Sequence, residues 1–126
     1  MNKIQAGIKK KSFELNYNGG TIWCEHLDGM GLCVDEVITK FSEDIINFSR
    51  PSVSSYMIIN LDETIITDHI VEVIVSAFLD NNKSYRKIAF VGVNARWQKQ
   101  FSKIKEKGTV IRFLSDYEKA KEWLFL

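Results

Sequence analysis

From Ser12 to Tyr17 the apolar residues Phe13, Leu15 and Tyr17 alternate with polar ones, the two-residue period of a strand with one buried face. Asn18, Gly19 and Gly20 supply a turn that tolerates positive φ, and Thr21 to Glu25 resumes a strand-like run through Ile22 and Trp23. The segment reads as a hairpin. Gly29 and Gly31 then interrupt the chain. After them Val34, Val37, Ile38, Phe41, Ile45 and Phe48 recur at helical spacing, with Asp35, Glu36, Glu43 and Asp44 opposite. A first helix is expected there, ending before Pro51.

The pattern changes at Tyr56 to Leu61, where an almost wholly apolar run predicts a central strand covered on both faces, and Lys87 to Val93 has the same character. Between them Thr67 or Asp68 can cap a helix whose buried stripe is Ile70, Val71, Ile74, Ala77 and Phe78, closed by Asp80, Asn81 and Asn82. A strand, helix, strand crossover follows, right-handed in nearly all cases. Asn94 suits the cap of a helix burying Trp97, Phe101 and Ile104. Arg96, Lys99, Lys103, Lys105 and Lys107 read as its solvated face, and Gly108 as its stop. Thr109 to Leu114 predicts another strand. Ser115 with Glu118 reads as a capping box for a last helix that buries Tyr117, Ala120, Trp123 and Leu124. The expected fold class is α/β, with a mixed sheet, helices packed against it and the order ββαβαβαβα.

Composition sharpens this picture. The 126 residues are 45% hydrophobic and include 8 Phe, 4 Tyr and 3 Trp, enough apolar surface for a core without metal or disulfide. No Pro, Gly or Ser-rich stretch reads as a linker, so residues 12–126 are expected to form one domain behind a basic, disordered segment 1–11 containing Lys9, Lys10 and Lys11. Seventeen basic against sixteen acidic residues give a net charge of +1, which offers no global attraction to nucleic acid or an anionic membrane. No apolar run reaches the roughly 18 residues of a membrane span or stands behind the lysines as in a signal peptide, and a cytoplasmic location is expected.

Cys24 and Cys33 are the only cysteines; with His26 and His69 they make no paired zinc pattern, and both read as buried free thiols. No metal, cofactor or catalytic residue is expected. No GxGxxG or GxxxxGK[ST] loop is present, and Gly92 alone reads as a tight strand end. The serines lack a nucleophile elbow. Cys24 and His26, two apart on one face of a strand, read as a pair without a third group to orient the imidazole. The cluster Asp62, Glu63, Thr64, Thr67, Asp68 and His69 is the chemically suggestive one, because it follows a central strand and opens a helix, where open α/β sheets meet ligands. Thr67 and Asp68 also have structural work as caps, and His69 as a cation is disfavoured at a helix N-terminus.

These residues carry a family likeness. The stretch Ile59 to Asp62, continued through Thr64-Ile65-Ile66-Thr67-Asp68 into a helix, resembles the STAS domain. The C-terminal part resembles its SpoIIAA-like branch, related to lipid-binding Sec14 domains: Arg86 to Gly92, then Trp97, Ile111 to Phe113, and Tyr117 to Leu124 with its Ala-x-x-Trp-Leu ending. The likeness spans about Phe13 to Leu124. It implies a non-enzymatic regulatory or binding module whose foremost partner is a protein, with a small molecule or lipid as the second reading. Outside that implication a minor hydrolytic enzyme stands as a remote third reading, and self-association is open. In antagonists of anti-sigma factors the helix opens on an Asp-Ser-Ser-Gly-like phosphorylation motif. Here Asp68 matches the Asp, whereas His69, Ile70 and Val71 stand where Ser, Ser and Gly are expected, so the phosphoacceptor is missing. The expected binding edge comprises Asp62, Thr67, Asp68 and His69 together with Asn94 and Arg96. In the lipid reading, Ile65, Ile66 and Phe78 line a pocket.

Overall fold

The structure, a computed structural model, describes residues 10–126. The elements are β1 (Phe13–Tyr17), β2 (Gly20–His26), α1 (Val34–Phe48), β3 (Tyr56–Asn60), α2 (Asp68–Asp80), β4 (Lys87–Val91), α3 (Ala95–Phe101), β5 (Val110–Leu114) and α4 (Tyr117–Leu124). Their order matches the sequence pattern. The expectation for the basic N-terminal segment lies outside the described residues up to Lys9, while Lys10 pairs with Asp28 at 2.8 Å.

The five strands form one mixed sheet in chain order. β1 runs antiparallel to β2, with Phe13 opposite Cys24, and β2 through β5 are parallel. Each parallel crossover steps the same way along the sheet, and residues of α1, α2 and α3 share one core, so all three helices cover one face. Equal steps with helices on one face require crossovers of one hand. Alternation divides the central strands between two cores. Met57, Ile59, Ile88 and Phe90 meet α1 to α3, while Ile58, Ala89 and Val91 meet α4 on the other face. Burial on both faces explains the unbroken apolar runs of β3 and β4.

The larger core is aromatic at its centre. Phe48 lies 5.7 Å from Phe41, 6.0 Å from Phe78 and 5.9 Å from Trp23 between ring centroids, geometry that adds to area burial. One charged group organises the turn after α1. Lys83 Nζ donates to the carbonyls of Val53 (2.6 Å), Arg50 (2.8 Å), Phe48 (3.1 Å) and Ser54 (3.3 Å), and sits 5.1 Å over the Tyr85 ring. It thereby satisfies carbonyls that the helix end and the turn at Pro51 leave without intrahelical partners.

Local details depart from the sequence reading in three places. The cap of α4 is Asp116, not a Ser115/Glu118 box: the Asp116 carboxylate accepts from the backbone N–H of Glu118 (2.7 Å) and Lys119 (3.1 Å), and a full negative charge suits a helix N-terminus better than a hydroxyl. The helix after Asn94 tightens at Ser102–Lys107 into a 3₁₀ segment that still buries Ile104, and Gly108 ends it at φ +85. Cys33 is half-buried at the start of α1, whereas Cys24 is fully buried; both are free.

Candidate functional site

The C-terminal ends of the parallel strands form an edge from which the loops into α1, α2 and α3 emerge. Two of these loops are laced together. Beyond the ends of β2 and β3, hydrogen bonds run from Leu27 N to Asn60 O (2.9 Å), Gly29 N to Asp62 O (2.8 Å), Gly31 N to Glu63 O (3.0 Å) and Ile65 N to Gly31 O (2.8 Å). Thr64 completes the lacing from inside: its buried hydroxyl donates to Leu27 O (2.6 Å) and accepts from Met30 N (3.1 Å). Thr64, part of the suggestive cluster, is therefore a structural residue.

The lacing forces Glu63 to φ +54, the left-handed region that costs an L-residue about 1–2 kcal/mol. Its neighbour Asp62 is exposed, and its N–H is held by Asn60 Oδ1 at 3.0 Å. Gly92, at φ +81, packs directly on this turn: a Cβ there would stand 2.6 Å from Asp62 Cα. The role of Gly92 is thus close backbone approach as well as a turn.

Of the six residues expected at the site, Asp62 sits on this edge. Thr67 is the N-cap of α2, accepting from Ile70 N at 3.3 Å, so Asp68 is the first helical residue rather than the cap. Asp68 and His69 are exposed in the first turn. Asn94 caps α3 by accepting from Arg96 N at 3.2 Å, and the exposed Arg96 guanidinium lies 4.7 Å from the Trp97 ring centroid. The edge carries two depressions. One of about 420 Å³ is lined by Gly92, Asn94, Gln98, Phe113 and Ser115; the other, about 180 Å³, by Lys10, Asp28, Gly29, Asp62 and Glu63. Asp62 and Asn94 thus face different depressions, and Thr67, Asp68, His69 and Arg96 line neither. No known family model matches the chain, and neither characterised proteins nor solved structures show a significant match to it. The geometry of this edge therefore carries the functional reading.

The acidic depression is electrostatically set. Asp28, buried at 7% exposure, accepts from Lys10 Nζ (2.8 Å) and His26 Nδ1 (2.9 Å). Burial alone would raise its carboxyl, but those two hydrogen bonds outweigh it and hold the group at about 2. Asp28 also supplies the orienting partner of His26 that the strand pattern did not anticipate. The ring also stacks on Phe13 (5.8 Å between centroids) and lies tilted against Tyr117 (5.5 Å). Cys24 remains fully buried, and burial pushes its thiol up, against nucleophilic use.

A second polar group, missed from the sequence, lies under α1. Glu25 is fully buried and its Oε1 accepts from the Trp23 indole at 2.9 Å. Burial and the nearby Asp44 carboxylate push it up to about 9, so it is a neutral acid at pH 7. Its Oε2 has no hydrogen-bond partner among the described residues, and the nearby Asp44 carboxylate further disfavours a second negative charge there. Asp44 in turn accepts from Lys40 Nζ (2.9 Å), which also donates to Ser12 Oγ (2.7 Å). Lys40 is buried with Val37 and Phe41 on α1, Asp44, expected on the polar face, is half-buried beside it, and Glu25 shares the face of Trp23; the position of Lys40 within the apolar stripe was the available signal.

The apolar residues of the lipid reading are separated. Phe78 fills the aromatic core at 1% exposure, Ile66 packs on that core and Ile65 is 52% exposed. They face no common cavity among the described residues.

Proposed function

We propose that this chain is a non-enzymatic binding or regulatory module of STAS, SpoIIAA-like type, docking a protein partner on the edge built by the C-terminal ends of β2 to β4. The observation that carries the reading is Glu63. A laced, rigid pair of loops holds an exposed carboxylate in a strained conformation beside exposed Asp62, with Asp68 at the start of the next helix. Strain retained on a surface that glycine would relieve points to use of the side chain. The three carboxylates favour a partner that presents a basic segment. A preformed surface loses little entropy on docking.

The Ser-phosphorylation switch of the anti-sigma antagonists does not carry over. Thr67, the hydroxyl nearest the expected position, is occupied as a helix cap. The buried, raised Cys24 thiol supports a role without chemistry.

Glu63→Gly separates binding from folding. It relieves about 1–2 kcal/mol of left-handed strain against about 0.5–1 kcal/mol of added chain entropy, so stability should equal or exceed that of the parent. Affinity for the partner isolated from the host should fall at least about tenfold. Undiminished binding by Glu63→Gly and Asp62→Asn together would remove this edge as the docking surface.

A further inference from the structure

The net charge of +1 conceals a separation of charge between two adjacent helices. On α2, Asp68, Glu72, Ser76 and Asp80 fall at intervals of four residues and all are exposed, forming an acidic ridge. Beside it, Arg96, Lys99, Lys103 and Lys105 are exposed along α3 and its 3₁₀ continuation, forming a basic ridge in which Glu106 is the sole acid. Among the described residues, none of these charged side chains is in an ion pair. Between the ridges runs a groove of about 260 Å³ floored by Val71, Val75 and Leu79, with Glu72 and Lys103 on its walls.

We propose that this face binds a second copy of the chain in a two-fold dimer whose axis lies along the groove. α2 and α3 are both crossovers between parallel strands on one face of the sheet, so they run in the same sense. A two-fold axis along the groove lays the α2 of each copy over the α3 of the other, acid against base on both sides. An axis across the groove would set acid on acid and base on base. Charge selects the first arrangement, and a self-complementary patch is what a two-fold interface requires.

The spacing agrees. From Asp68, Glu72 and Asp80 lie about 6 and 18 Å along α2 at 1.5 Å per residue. From Arg96, Lys99 lies about 4.5 Å on, and Lys103 and Lys105 about 11 and 15 Å on, at the longer 3₁₀ rise past Phe101. Asp68 thus meets Arg96, Glu72 meets Lys99, and Asp80 meets Lys105. The two grooves face each other between these rows and are shut off from bulk solvent by them. This dimer does not depend on the docking edge at Glu63.

Sedimentation velocity of the full chain between micromolar and submillimolar concentration tests the proposal. A monomer–dimer equilibrium is expected that weakens as salt rises from 50 to 500 mM, since ridge charges are screened. Glu72→Lys and Lys99→Glu should each weaken the dimer at least about tenfold. An equimolar mixture of the two should restore it, because each mixed pair carries Lys against Glu on both sides. If either variant fails to fold, Asp80→Lys with Lys105→Glu serves as the same complementary pair. A chain monomeric throughout overturns the proposal and leaves the ridges to a different protein. A dimer indifferent to both reversals, or folded variants that fail to complement, overturns it equally.

Discussion

Replacing Glu25 by Gln should make the protein more stable at neutral pH, although it alters a fully buried polar residue. Glu25 has an ordinary value near 4.5 in the unfolded chain and about 9 in the fold. A raised acid contributes its full stability below pH 4.5. Above that the unfolded chain releases the proton while the folded chain retains it, so stability falls at up to 1.36 kcal/mol per pH unit until about pH 9. At pH 7 the accumulated loss is about 3 kcal/mol, a large share of a typical domain's 5–15. Glutamine removes the titration and keeps the shape. Its carbonyl accepts from Trp23 as Oε1 does at 2.9 Å, and its amide donates toward Asp44 in place of the acid proton. Urea unfolding of both chains at pH 5, 6, 7 and 8 reads the difference directly. The variant's advantage should be small at pH 5, reach about 2–3 kcal/mol at pH 7 and still grow at pH 8. Parallel stability curves, or a variant less stable at pH 8, would show that Glu25 is ionised in the fold and that the account of this network is wrong.

Three further outcomes are expected. Lys83→Met should cost about 2–3 kcal/mol in chemical unfolding, because it removes the cation bonded to four carbonyls; a loss under about 1 would mean that water satisfies those carbonyls equally well. Asp28 is depressed to about 2, so its stabilisation is present at neutral pH and is lost as pH falls from about 4 to 2. Asp28→Asn should therefore be less stable at pH 7 and show a flatter decline over that acid range, and an unchanged acid transition would contradict the pairing with His26 and Lys10. Thr67→Ala should lower stability by about 0.5–2 kcal/mol as a lost cap, and Asp68→Ser by less; the reverse ranking of melting midpoints would restore Asp68 as the cap.

The elements were legible wherever one physical signal dominated. The unbroken runs of β3 and β4 stated burial on two faces, and the stripes of α1, α2 and α3 stated which side each helix buries. Asn94 and Gly108 marked the ends of the α3 segment because no competing residue stood nearby. At α4 two good caps stood side by side, Ser115 and Asp116, and only the geometry of the turn chose between them. Buried charge was the least legible feature. Glu25 and Lys40 carry residue types that are almost never fully buried without partners, and their partners are Trp23, Asp44 and Ser12, the last distant in sequence from Lys40. The segment between β3 and α2 lies at the strand-end edge, as its place in the chain implied, but the roles of its side chains were not legible. Thr64 is interior, Thr67 is a cap, and the strained carboxylate is Glu63, whose φ depends on the loop after β2.

Docking at the strand-end edge is tested most directly by site-specific photocrosslinking in the native host, with the photoreactive residue placed at position 65, exposed beside Glu63 and outside the binding carboxylates, and, in a control, at exposed position 16 on β1. A single discrete protein adduct is predicted from position 65 and absent from position 16, and it should disappear when Asp62 and Asp68 are both replaced by Lys in a chain that still folds. Identical adducts from both positions, or none from position 65, would contradict the assignment of this edge as the docking surface.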